Sequence, residues 1–270
     1  MDIATIAGLI ISTAGVLVGL ILSGGTISSY LQLASAVIVF VGTIGATVMC
    51  YPLEDTINVF TRAMFKAFKK YKVDNTKTVD QIIEFAGISR KDGLLSIEKK
   101  LKAVDDDFLK KGLQLAVDGV ESNKIIDILE ADMEEMDNRH NRGAAWMATA
   151  GGYSPTFGMI GTVLGLIIAL KNMDSPEGLA QAVAAAFLTT LYGIMAANLF
   201  FLPVSKKLKL NHEIESREKQ LMLRGILAIQ SGANPRIIKE ELLAFLKEEN
   251  KNNNKKEKEK PERVATAKKK

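Results

Sequence analysis

The stretch Ala144–Leu170, AAWMATAGGYSPTFGMIGTVLGLIIAL, carries no charged side chain. It holds about 27 residues, more than the roughly 20 that a helix needs to cross the hydrocarbon of a bilayer. Pro155, Gly158, Gly161, Thr162 and Gly165 fall inside it. Small residues at that spacing let a second backbone come close, so this segment is expected to face protein on at least one side, with a hydroxyl on that face.

Outward from it lie three more charge-free blocks, Ile3–Leu22, Leu31–Met49 and Gly178–Val204. Each is about 19–27 residues long, whereas a buried helix of a soluble protein is usually shorter and amphipathic. Four such blocks in 270 residues argue against a soluble protein and for an all-α, polytopic inner-membrane protein with four transmembrane helices. Of the 35 Lys and Arg, only Lys171 falls outside Tyr51–Arg142 and Ser205–Lys270. The positive-inside rule then puts both segments, and both termini, on the cytoplasmic side, with Leu22–Tyr30 and Lys171–Glu177 as short outer turns. The first block is preceded by Asp2 and by no Lys or Arg, which is unlike a cleaved signal peptide. Cys50 is the single cysteine and makes no internal disulfide. The formal net charge of +4 follows from this topology and the Lys-rich end, and does not imply nucleic acid.

The chain therefore divides into transmembrane helices 1 and 2 (residues 1–50), a cytoplasmic helical region (51–143), a transmembrane hairpin (144–204), cytoplasmic C-terminal helices (205–247) and a Lys-rich tail (248–270). Gly15 and Gly19 of the first helix match small-xxx-small spacing and are expected to pack closely and do nothing more. Pro52 ends the second helix. Arg62, Lys66, Lys69 and Lys70 follow, placed to anchor on anionic membrane lipid at about 1 kcal/mol per basic residue. From Asp80 to Arg139, apolar residues recur at spacings of three and four, as in helices of a small bundle, and no stretch alternates long enough for a strand. In the fourth block Ala182, Ala186, Thr189 or Thr190, Gly193 and Ala197 share one helical face, and Pro203 closes the span. Leu208–Leu246 reads as amphipathic helix broken at Gly232–Pro235. The tail beyond Glu248 has too few apolar residues to offset its ordering entropy and is expected to be disordered.

The chain offers little for catalysis. His140 and His212 are its only histidines, neither has a second ligand at metal spacing, and there is no phosphate-cradling loop, nucleophile elbow or cysteine pair. An enzyme, a metal site and a cofactor are therefore not expected, and His140 reads as a headgroup contact beside Arg139 and Arg142. The spans contain no Asp, Glu, Lys, Arg or His, the groups that mark ion paths through membranes. Thr162, Thr189, Thr190, Tyr192 and Asn198 nevertheless put polar groups on the two helices richest in small residues. They can line a cavity whose charged group comes from another chain. The competing reading is that Ser and Thr bond their own carbonyls four residues back. Thr162 and Thr190 favour the cavity, and Asn198 reads as glue between helices.

SPTFGMIGTVLGLI followed by AVAAAFLTTLYGIMAANLFFLP resembles the third and fourth spans of the flagellar stator subunit family, MotA, and more loosely the TolQ and ExbB energisers. Two further features favour MotA: the extra N-terminal pair of spans, and FAGISRKDGLLSIEKKL, similar to that family's rotor-facing stretch. The resemblance implies a motor subunit that couples an ion flow to torque. It implies Pro155 and Pro203 at the inner ends of the pore-lining helices as coupling residues, and Thr190, Thr162 and Thr189 along the ion path. Arg90 and Glu98 would touch opposite charges on the rotor protein FliG. It implies further a self-assembled pentamer around MotB-type single-span helices, whose intramembrane Asp carries the ion. The ion is a proton by this resemblance, with sodium left open by the oxygen-rich Thr pair. The alternatives are a TolQ/ExbB-like energiser of an envelope complex and a passive membrane scaffold.

Overall fold

The computed structural model describes residues 2–68 and 75–247. Lys69, Lys70 and the whole tail lie outside them, so the anchoring read for those lysines and the disorder read for the tail are not part of this structure. No strand occurs among the described residues. The helices are α1 (Ile3–Leu22), α2 (Leu33–Val48), α3 (Leu53–Asn58), α4 (Met64–Phe68), α5 (Asn75–Asp92), α6 (Glu98–Leu101), α7 (Asp107–Val117), α8 (Ser122–Lys171), α9 (Pro176–Met195), α10 (Leu202–Gln230) and α11 (235–247). Two π-turns, Val59–Ala63 and Ala196–Phe201, join α3 to α4 and α9 to α10. The described residues form two compact units, 2–68 with 137–213, and 75–136 with 214–247.

The first unit holds the apolar helices. Among the described residues three helices are long and apolar enough to cross a membrane: α1, α8 and the run from α9 into α10. The second block is shorter than its composition suggests, because α2 starts at Leu33 and has 16 residues, about 24 Å at 1.5 Å per residue. Tyr192 explains the late start. Its hydroxyl donates to the Tyr30 carbonyl and accepts from the Gln32 N–H at 3.0 Å, which holds a 3₁₀ turn, Ile27–Tyr30, before the helix. The buried face of α2 is Ser35, Val39, Thr43 and Thr47, while Val37, Phe40 and Val41 point outward. A face of hydroxyls turned in and large apolar groups turned out inverts the pattern of a water-soluble protein and suits a lipid solvent.

The close packing read for Gly15 and Gly19 is not met within the chain. α1 buries no residue, and a Cβ added at Gly8, Gly15 or Gly19 would meet nothing within 4 Å. Its helix is fixed at its start, where Asp2 caps Ala4 and pairs with Lys207, and the Asp2 N–H donates to the Phe68 carbonyl at 2.9 Å. The same unit has a small apolar core around Trp146, Met147, Phe201 and Val204. The Trp146 indole donates to Thr56 at 3.2 Å and meets the Phe60 ring edge-on. His140 packs edge-on against His212, centroids 5.6 Å apart, where the sequence suggested a headgroup contact. Burial first, then the charges of Lys66 and Arg139, push its imidazole down to about 4.

The second unit is the small bundle that the spacings imply. Ile82, Ile97, Leu109, Leu113, Leu129 and Ile226 are fully buried in one core. Gly112 is placed where Ile226 and Leu129 press on it, and a Cβ there has no room. The break at 232 holds: Gly232 has φ +71°, left-handed backbone that ends α10. Asp106 caps α7 by accepting from the Phe108 and Leu109 N–H groups, at 3.0 and 2.9 Å. It also pairs with the mostly buried Lys219 at 2.7 Å. Asp106→Ala removes both roles and is expected to cost about 2 kcal/mol, whereas Asp106→Asn keeps the cap and costs less. Amide exchange of residues 107–117 in the full-length protein checks this; equal protection in both variants would contradict it.

Candidate functional site

The site is the crossing of α8 and α9. Along α8 the residues turned inward are Ser154, Gly158, Gly161, Gly165 and Ala169, and those turned outward include Ile160, Val163, Leu164, Ile167 and Ile168. α9 answers with Ala182, Ala186, Thr189 and Gly193, all buried. A Cβ on Gly193 would lie 2.6 Å from the Ser154 carbonyl oxygen and 3.1 Å from the Gly158 Cα. One on Gly165 would lie 2.7 Å from the Ala186 Cβ. The two helices therefore touch at two levels about two turns apart on one face, with nothing larger than an alanine methyl between the backbones. Ser154 bridges the crossing by donating to the Gly193 carbonyl at 3.0 Å, and both groups are buried.

Between those two contacts sit Thr162 and Thr190. Their hydroxyls are bonded to each other. The Thr162 hydroxyl also lies 3.0 Å from the Gly158 carbonyl and 3.1 Å from that of Ala186, and Thr190 lies 3.4 Å from the Gly158 carbonyl. A hydroxyl has one proton to donate and two lone pairs. Two hydroxyls and two carbonyls thus make a half-buried, uncharged cluster of oxygen atoms with lone pairs left over. Such a cluster can hydrogen-bond a protonated carboxyl or replace part of the hydration of a hard cation.

Thr189 takes a different place from the other two. It is buried, meets the Ser35 hydroxyl of α2 at 2.8 Å and donates to the Ala185 carbonyl at 2.8 Å; a Cβ on Gly161 would strike its methyl group. The structure brings Thr162 and Thr190 together and turns Thr189 away from them, into the contact of α9 with α2 and α8. Asn198 donates to the Ile194 carbonyl at 3.0 Å, a bond within its own helical run where glue between helices was expected. Ser35 and Ser154 were not singled out by the sequence. The one available signal is that Ser154 directly precedes the proline at the crossing.

Pro155 lies inside α8 and leaves the Gly151 carbonyl without its α-helical donor; its Cα would be 3.2 Å from a Cβ on Gly193, so the proline sits at the crossing itself. Pro203 does not end the chain's helical run. It follows the π-turn Ala196–Phe201 and lies in the first turn of α10, which continues to Gln230. A proline at that position has no N–H for the carbonyl four residues earlier, and the widened turn is where the ladder is interrupted.

Arg90 and Glu98 belong to the other unit. Arg90 is in the last turn of α5 and Glu98 opens α6, joined through Gly93 (φ +84°) and the 3₁₀ turn Leu94–Ile97. Both are exposed, and neither makes an ion pair among the described residues, while the nearby Lys100 pairs with Glu84 at 2.7 Å. Among the described residues no cluster of three or more metal-ligating side chains occurs.

Residues 100–222 match the model of the MotA/TolQ/ExbB proton channel family. Motility protein A of Bacillus subtilis (strain 168) is 36% identical over 248 residues, covering 91% of this chain and 91% of that protein. Chemotaxis protein PomA of Vibrio alginolyticus is 36% identical over 249 residues, covering 92% and 96%. Among solved structures, a chain of C. jejuni MotAB superposes with a TM-score of 0.86 at 32% identity, covering 91% of this chain and 96% of that one.

The crossing separates two kinds of substitution. Gly193→Ala must move the Ser154 backbone, whereas Gly152→Ala on α8 meets nothing within 4 Å. Overpacking is expected to cost about 1–3 kcal/mol at Gly193 and nothing at Gly152. Thermal unfolding of the detergent-purified protein measures the difference, and equal midpoints would contradict the backbone contact.

Proposed function

Since the chain belongs to the MotA/TolQ/ExbB proton channel family and is a stator subunit of the flagellar motor, we propose that it couples proton flow across the cytoplasmic membrane to torque on the rotor. The observation that carries this reading is the bonded Thr162–Thr190 pair where two spans without Asp, Glu, Lys, Arg or His cross. An oxygen cluster of this kind can hold an ion or a protonated carboxyl in transit but cannot itself bind and release a proton at neutral pH. A MotB-type single-span partner supplies the missing Asp; that a solved relative is a MotAB assembly supports this. Five copies of this chain surround the partner helices, with Thr190 and Thr162 facing the acid and Thr189 holding their helix in place. α2 completes the count of four spans, and both termini are cytoplasmic, in keeping with the distribution of Lys and Arg.

Protonation and release at the partner's Asp changes its charge inside an uncharged sleeve and so changes which register of the sleeve around it is favoured. Pro155 and Pro203 mark where α8 and the α9–α10 run can bend without breaking a full set of backbone bonds. Arg90 and Glu98, exposed and without an ion pair among the described residues, meet complementary charges on the rotor protein FliG. The energies are commensurate. One elementary charge crossing about 100 mV releases about 2.3 kcal/mol, while an exposed ion pair is worth roughly 0–1 kcal/mol. One ion therefore suffices to exchange a few surface contacts per step.

Thr190→Val keeps the volume and deletes the hydroxyl. It is expected to slow swimming tenfold or more with normal membrane assembly, while Thr190→Ser retains motility. Swimming speed that tracked sodium at fixed pH would overturn the proton assignment. Arg90→Glu and Glu98→Lys are expected to abolish swimming while ion flow persists, and normal motility in both would remove the rotor contact.

A further inference from the structure

A cavity of about 480 Å³ lies beside α1 in the apolar unit. Gly8, Leu9 and Ser12 form one wall, and Asn198, Phe200 and Pro203 form the other. The eight helical steps along α1 from Ala4 to Ser12 give it a length of about 12 Å. Its surface is mostly apolar, and its width at mid-height comes from Gly8, where an added Cβ would meet nothing. Lys206 and Lys207 line the end nearest the start of α1.

The two lysines are not equivalent. Lys207 pairs with Asp2 and holds that carboxyl below the usual carboxylate range. Lys206 is exposed and makes no ion pair among the described residues. An apolar groove thus opens beside a membrane helix and ends at one uncompensated ammonium at the cytoplasmic edge. A second copy of this chain is a poor complement there, because Asp2 is the only acid in residues 1–53 and it is already paired. A phospholipid with a net negative headgroup satisfies both features, since its chain replaces apolar contacts and its phosphate meets the amine.

We propose that this groove is a binding site for an anionic phospholipid, with the phosphate at Lys206 and an acyl chain between α1 and the segment from Asn198 to Val204. The site does not use Thr162, Thr190, Arg90 or Glu98. Its occupant would brace the first helix against the widened turn before Pro203. The inference requires only that the chain spans a membrane, so it stands or falls independently of the motor assignment.

The test uses the full-length protein in its assembled form, reconstituted in phosphatidylcholine with phosphatidylglycerol carrying a photoactivatable group on one acyl chain. Peptide mapping is expected to find label on residues 4–12 and 198–204. Unlabelled phosphatidylglycerol should compete, and phosphatidylcholine or soluble glycerol phosphate should not. Lys206→Gln should cut labelling about fivefold, the size of one basic residue's attraction to an anionic headgroup. Gly8→Phe, which fills the groove, should abolish labelling with the assembly's size unchanged. Labelling that ignores headgroup charge and both variants overturns the proposal, as does competition by glycerol phosphate alone. Absence of label together with disulfide cross-linking between copies through Ser12→Cys assigns the groove to a neighbouring subunit and overturns it as well.

Discussion

Two backbones in contact, at Gly158 and Gly193, are the constraint on which the rest depends. In water, helices are driven together by burying large apolar side chains; in lipid that drive is absent, because the solvent is as apolar as leucine. What remains is dispersion between closely approaching surfaces and hydrogen bonds that would otherwise go unmet. The α8–α9 crossing uses both. Glycine and alanine bring the chains together, and Ser154 spends its hydroxyl across the gap. The large residues of α8, from Ile160 to Ile168, are left facing out. Because the helices are so close, the hydroxyls of Thr162 and Thr190 have little choice but to meet.

The same constraint determines what the site can do. An uncharged oxygen cluster sets no fixed charge in the membrane, so it adds no standing electrostatic barrier to an arriving acid and does not trap one that is leaving. A permanent carboxylate at this position would need a partner charge or a raised pKa to be tolerated. The spans themselves, free of Asp, Glu, Lys, Arg and His, hold no fixed charge. The hydrogen-bond ladder is interrupted at Pro155 and at the π-turn before Pro203, where a helix can change direction at low cost.

Much of this was legible from the residues. The spans announced themselves by composition, the small-residue face of α9 by spacing, and the bundle of the second unit by its threes and fours. What stayed hidden depended on tertiary contacts. Thr189 and Thr190 are neighbours about 100° apart on a helix, and only Ser35 on α2 decides which of them faces inward to that helix. The late start of α2 depends on Tyr192, 160 residues away in sequence from the Gln32 N–H that it accepts. α8 runs unbroken for 50 residues because no proline or turn signal separates its polar first part from its apolar second part, although the composition changes sharply near Ala144. The glycines of α1 carried the spacing of a packed helix, yet this chain places nothing against them.

The central claim is that this chain builds the uncharged sleeve and that another chain brings the acid. Its most direct test is ion flux into liposomes containing the purified protein, alone and with a MotB-type partner. The account predicts no flux from the chain alone, flux on co-reconstitution, and loss of that flux when the partner's intramembrane Asp is changed to Asn. Flux from the chain alone at the rate of the complex would contradict it.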